Sequence, residues 1–141
     1  MMNKFVGLWV VCLVSVITVA GCGKKEEKPT GKVFFSEPKD GAEVKSPVNV
    51  VMGVEGMTLK PAGELITGTG HHHLLVNLDA TPAGQVIPND DTHKHFGKGQ
   101  TETTLELAPG DYKLTLQFAD GLHRSYGPEL SSTINVKVVA P

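Results

Sequence analysis

Leu107–Gly121, LAPGDYKLTLQFADG, is the stretch whose reading decides the fold. Pro109-Gly110-Asp111 is a turn signal, and Ala119-Asp120-Gly121 is a second one. Between them Tyr112, Leu114, Leu116 and Phe118 alternate with Lys113, Thr115 and Gln117. Successive side chains of a strand point to opposite faces, so this segment has one apolar and one polar face, and a strand is predicted. Tyr112 follows a Pro-Gly turn, where a sandwich often places a tyrosine whose hydroxyl bonds back to upstream backbone. The other reading is a plain hairpin with a surface tyrosine.

Working outward, the same period of two recurs. Val48, Val50, Met52 and Val54 alternate with Asn49, Val51, Gly53 and Glu55. His72, Leu74, Val76 and Leu78 alternate with His71, His73, Leu75 and Asn77, and Ile134, Val136 and Val138 alternate with Thr133, Asn135 and Lys137. Val33 to Ser36 and Thr101 to Leu107 add shorter candidates, and no amphipathic helix is found. Pro and Gly turns separate the runs, at Pro38-Lys39-Asp40-Gly41, Pro61-Ala62-Gly63, Pro82-Ala83-Gly84 and Pro88-Asn89-Asp90. The expectation is an all-β fold, a small immunoglobulin-like antiparallel β-sandwich. Its expected core is Val50, Met52, Val54, Leu74, Val76, Leu114, Leu116, Phe118, Ile134, Val136 and Val138. Gly56 to Gly70 and Asp79 to Thr92 are too long for simple hairpins, and long loops on a rigid scaffold are where function usually sits.

The N-terminus has a different composition. Met1 to Lys4 carry one positive charge, and Phe5 to Ala20 run apolar, interrupted by Gly7, Cys12, Ser15 and Thr18. That run fits the apolar region of an export signal and falls short of the roughly 20 residues that span a bilayer comfortably. It ends in Val19-Ala20-Gly21-Cys22, which resembles the bacterial lipobox, with the Cys22 thiol as the nucleophile that receives the lipid. Gly23 to Lys32, GKKEEKPTGK, is charged, with nothing to bury. The expected organisation is a lipoprotein signal peptide at 1–21, the lipidated Cys22 with a polar tether at 22–31, and the sandwich at 32–140. The domain is then expected in the cell envelope, lipid-anchored and periplasm-facing. Gly23, rather than Asp, favours the outer membrane where there are two.

The chain has two cysteines. Cys12 leaves with the signal and Cys22 is capped, so the expected mature domain has neither a free thiol nor a disulfide. Any metal site must then use His, Asp, Glu or Met. Hydrophobic residues make up 40% of the chain, enough for a packed core. The chain has 13 basic and 15 acidic residues, so losing Lys4 leaves a net charge of about −3. With Arg124 as the single arginine, there is no electrostatic case for nucleic acid. The expected partners are the membrane, through the N-terminal lipid, and an envelope or metal-transfer protein.

The 6 histidines all fall between positions 71 and 123. His71/His73 and His93/His95 have His-x-His spacing, which places two imidazoles on one strand face. If the two strands are neighbours, four nitrogens face one another, and His123 offers a fifth. Asp90, Asp91 and Glu102 are nearby in sequence as alternative or supporting ligands, and Met57 offers a thioether. His72 shares the parity of Leu74 and Val76, so it is expected to face the core. Imidazole suits copper and zinc, and copper binds more strongly by the general affinity order. Two readings stay open: a copper or zinc site serving a buffer or carrier, and a structural hydrogen-bond network in a non-catalytic envelope interaction module. His-Glu-x-x-His and Gly-x-Ser-x-Gly are both missing, and enzyme activity is not expected. Gly97-Lys98-Gly99-Gln100 lacks the spacing of a phosphate loop and reads as a tight turn.

Several strings together resemble a family of bacterial exported domains, domain of unknown function 4399. They are Val33–Met57 (VFFSEPKDGAEVKSPVNVVMGVEGM), PAGE at 61–64, TGHHHLLVNLD at 69–79 and IPNDDTHKHFGKGQTETTLELAPGDYKLTLQFADGLH at 87–123. The most specific pieces are Gly70-His71-His72-His73-Leu74 and His93-x-His95-Phe96-Gly97-Lys98-Gly99-Gln100-Thr101-Glu102. The resemblance covers Val33 to about Val138 and implies a small sandwich in a secreted or anchored protein, with no established activity.

Overall fold

A computed structural model describes residues 30–140; the expected export signal, Cys22 and most of the expected tether lie outside them. Nine strands follow in chain order: β1 (Lys32–Glu37), β2 (Glu43–Lys45), β3 (Val48–Glu55), β4 (Thr58–Leu59), β5 (Thr69–Val76), β6 (His93–His95), β7 (Glu102–Leu105), β8 (Gly110–Ala119) and β9 (Ser131–Val139). The helical element among the described residues is one 3₁₀ turn, Pro128–Leu130. The strands form a β-sandwich. One layer has the order β1-β3-β7, and the other runs β2-β9-β8-β5-β4, with β6 also paired to β5.

The alternating runs bury their apolar parity between the layers. Val33, Phe35, Val48, Val50, Met52 and Leu105 meet Leu74, Leu114, Leu116, Phe118, Ile134, Val136 and Val138 in one cluster. Val54 and Val76, also expected in the core, pack against it and are partly buried. The Tyr112 hydroxyl donates to the Ala108 carbonyl at 3.0 Å, the backward bond of a tyrosine corner.

β9 behaves as its pattern predicts, with Thr133, Asn135 and Lys137 exposed between buried neighbours. β5 and the second half of β8 do not. Both of their faces are buried, so His71, His73 and Leu75, with Thr115 and Gln117, are covered on the side away from the core. The cover is the long connections, laid edge to edge. Gly63 N–H donates to Gly121 O at 2.9 Å, Ile87 N–H to His123 O at 2.9 Å, and Ser125 N–H to Gln85 O at 2.8 Å. The polar groups beneath are served locally. Thr115 Oγ1 donates to Leu78 O at 2.8 Å, and Gln117 Nε2 donates to Gly127 O at 2.9 Å.

Candidate metal centre

The Thr69–Val76 strand sorts its three consecutive histidines by parity. His72 turns inward, edge-on to Phe118 with ring centroids 5.3 Å apart. His71 and His73 turn outward beneath the loops, and all three are fully buried. β6 pairs antiparallel with β5 so that His95 stands opposite His73 and His93 opposite Leu75. That register sets the His95 ring 5.0 Å from both His71 and His73.

The fourth ring comes from the turn after β8. Asp120 is buried there, and its Oδ1 accepts the N–H groups of Leu122 at 2.8 Å and Arg124 at 3.0 Å. Its Oδ2 accepts Arg124 Nε at 2.8 Å. The carboxylate holds the turn with His123 in the left-handed region at φ 66°, placing its ring 4.6 Å from His95 and 5.1 Å from His71. His73 and His123 are the widest pair, at 6.0 Å.

Four imidazoles from three chain segments therefore stand together under the loops. One nitrogen from each of His71, His95 and His123 lies within 4.8 Å of the others. Metal–nitrogen bonds of about 2.0–2.1 Å put ligating nitrogens roughly 3.3–3.6 Å apart, so small ring rotations suffice to close on an ion. His71 Nε2 and His73 Nε2 are 3.0 Å apart and share a hydrogen bond. The Nδ1 atoms of His71 and His73 and Nε2 of His95 are buried without a hydrogen-bond partner. Leaving a buried polar atom unsatisfied costs about 1–3 kcal/mol, and a bound cation is one way to relieve it.

Burial, followed by repulsion among the rings, lowers the protonation of His71, His73 and His95. The His71 pKa falls to about 4, chiefly by desolvation and then by His95 and His123, with Asp120 opposing. His73 falls to about 2, again by desolvation first and then by the neighbouring histidines. His95 is lowered for the same two reasons. Neutral imidazole is the form that ligates a metal, so these three rings hold it across the neutral range.

The remaining candidates sit elsewhere. His93 lies on the same face as His95 but one position further along, and its Nδ1 donates to Asp90 Oδ1 at 2.8 Å. Asp90 also accepts from the Thr92 backbone and hydroxyl, each at 2.8 Å, and these bonds hold its carboxyl well below the usual range. Asp90 and His93 thus close a loop, and of the His93/His95 pair only His95 reaches the cluster. Asp91 is exposed beside that loop. Glu102 is exposed on β7 in the opposite layer. Met57 packs against the hydrophobic core, so its thioether serves packing.

Two supporting residues were not legible as site residues. Gly97 lies against the His95 ring, where a Cβ would come within 2.3 Å of Nε2, so glycine leaves that ring its space. From the sequence Asp120 reads only as part of an Asp-Gly turn. The available signal was its position three residues before His123, the spacing of a short carboxylate-held turn.

The family model for a domain of unknown function, DUF4399, matches residues 50–139. The chain belongs to that family. The matched residues of this DUF4399 chain run from β3 through β9 and include all the clustered histidines. No curated protein matches the chain. Among solved structures, the endo-beta-1,4-mannanase from Thermotoga petrophila is similar at 20% identity and a TM-score of 0.48, over 84% of this chain and 22% of that one. A likeness that remote carries no argument about activity.

Proposed function

We propose that this DUF4399 domain is a transition-metal-binding module of the cell envelope. It is held at the membrane by lipid on Cys22 and takes up copper or zinc as a buffer or carrier. The observation that supports this is the convergence of His71, His73, His95 and His123, with three of their nitrogens buried and unpartnered. Four nitrogen donors suit Zn²⁺ and Cu²⁺ and do not suit calcium or magnesium, which take oxygen ligands.

Titration calorimetry and thermal unfolding with Cu²⁺ and Zn²⁺ on tag-free protein test the reading. Stoichiometric binding at or below micromolar is expected, lost when His71→Ala and His95→Ala are combined and retained in His93→Ala. Binding that survives the double change sinks the site. The second reading, a non-catalytic interaction module whose histidines form a structural network, draws on the 3.0 Å bond between His71 and His73. It expects no stoichiometric metal and a loss of stability when either residue is replaced. The anchor has its own test: acyl labelling is abolished in Cys22→Ala, and labelling that persists there refutes the assignment.

A further inference from the structure

The loop layer over the histidines presents an apolar surface of its own. The large hydrophobic side chains exposed among the described residues are Leu65 at 56%, Ile66 at 37%, Val86 at 63% and Leu122 at 48%. They come from three separate connections, yet the backbone joins them. Gly63 is bonded to Gly121, Val86 bridges to Arg124, and a Cβ on Gly121 would strike the Glu64 carbonyl. Leu65, Leu122 and Val86 thus ride on neighbouring strips of one layer. Exposed aliphatic side chains gathered in one place mark contact surfaces.

The point where the tether enters the fold indicates what this surface meets. Thr30 and Gly31 pack against Glu55, Gly56 and Met57. Thr58, just beyond, donates to Gly68 O at 2.9 Å, and Thr69 donates to Ile66 O at 3.2 Å. The apolar strips and the incoming tether therefore lie at the same end of the sandwich. Exposed charge stands at both ends, Glu43, Asp79 and Asp111 at the far one and Lys32, Glu55 and Glu64 at this one, so the exposed aliphatic side chains are what set this end apart. Eight residues from Cys22 to Thr30 reach at most about 27 Å at ~3.4 Å each.

We infer that Leu65, Ile66, Val86 and Leu122 seat this end of the domain on the lipid surface that holds its anchor. The inference rests on the reading of Cys22 as lipidated and is independent of metal binding. A tether this short makes the second contact intramolecular, so a small apolar patch is enough to hold an orientation.

The test uses the lipidated protein as the cell processes it, reconstituted into phosphatidylethanolamine–phosphatidylglycerol vesicles, with and without brominated acyl chains. The chain's single tryptophan, Trp9, lies in the segment expected to leave with the signal, so Leu122→Trp is the one indole of the lipidated protein and reports from one position. The expected result is emission shifted to shorter wavelength and quenched by the brominated chains, both lost when Leu65→Glu and Val86→Glu are added. Protein that floats with the vesicles but emits as a solvated, unquenched indole overturns the docking while leaving the anchor intact. A concentration-dependent shift without bromine quenching overturns it in favour of a protein contact. Protein that neither floats nor takes an acyl label overturns the anchor, and the docking with it. Calorimetry on the same variant reads the four histidines separately, since all of them are retained.

Discussion

On β5, Leu74 turns toward the three-stranded layer while His71 and His73 turn toward the loops, and all three are fully buried. On β8 the same division runs between Leu116 and Phe118 on one side and Thr115 and Gln117 on the other. One face is closed by apolar packing, which any aliphatic side chain of the right volume satisfies. The other is closed by loops over polar groups, each of which needs its own partner. Thr115 Oγ1 and Gln117 Nε2 have theirs, whereas Gln117 Oε1 and nitrogens of His71, His73 and His95 are buried without one. Equal burial therefore conceals unequal purpose. The inner face holds the fold, with His72 buried there and both its ring nitrogens unpartnered, and the outer face gathers the imidazoles that the proposed metal would use.

The sharpest test of that contrast is Leu116→Ala. It should cost about 2–5 kcal/mol by the lost transfer energy and the cavity left behind, measured by urea unfolding. A cost below 1 kcal/mol would mean that the inner face is not the stabilising one.

Metal should act on the outer face alone. Free Cu²⁺ or Zn²⁺ at 100 times its dissociation constant should add about 2.7 kcal/mol of stability by mass action. The gain should vanish in His71→Ala/His95→Ala and persist in His72→Leu, whose ring lies against Phe118 on the other face. Equal loss in both variants would erase the distinction between the faces.

Acid should separate the faces next. The folded pKa values of His71 and His73 lie below the ordinary 6.5, so the unfolded chain binds protons first as pH falls. Apo stability should be full above pH 6.5 and decline from there toward pH 4, by up to ~1.4 kcal/mol per pH unit for each histidine. His72, lowered to about 4 by burial and then by His71, adds to the same decline. Urea midpoints between pH 7.5 and 4.5 read the slope, which should flatten when His71 and His73 are replaced by leucine. An unchanged slope in that variant would place the titration elsewhere.

The smallest effect belongs to the corner. Tyr112→Phe removes one bond to Ala108 O at the rim and should cost about 0.5–1.5 kcal/mol. Thermal unfolding measures it, with no change expected in metal affinity. A variant as stable as the parent would make the bond incidental.

Much of this was legible in the chain. Alternation in Tyr112–Phe118 and Ile134–Val138 named the strands and their inward face, because a two-residue period leaves a strand no other way to bury one side. It also separated His72 from His71 and His73. Covering of the outer face was not legible, because it depends on where Gly56–Gly70 and Asp79–Thr92 fold back, and polar loops carry no register. The His93/His95 pair shows the same limit. Spacing put both rings on one face, but Asp90, three residues away, captured the first.

The sequence by itself determined the β class, the parity of each strand and the set of donors available to a metal. These follow from local rules: side-chain period, turn chemistry and residue inventory. Only the tertiary structure decided that His73 stands opposite His95, that the Asp120 turn carries His123 over both strands, and that Gly97 leaves the His95 ring its room. Those outcomes depend on strand pairing and loop return, contacts between residues far apart in the chain. No period or spacing encodes them, because a distance across a sheet is set by register and not by sequence separation.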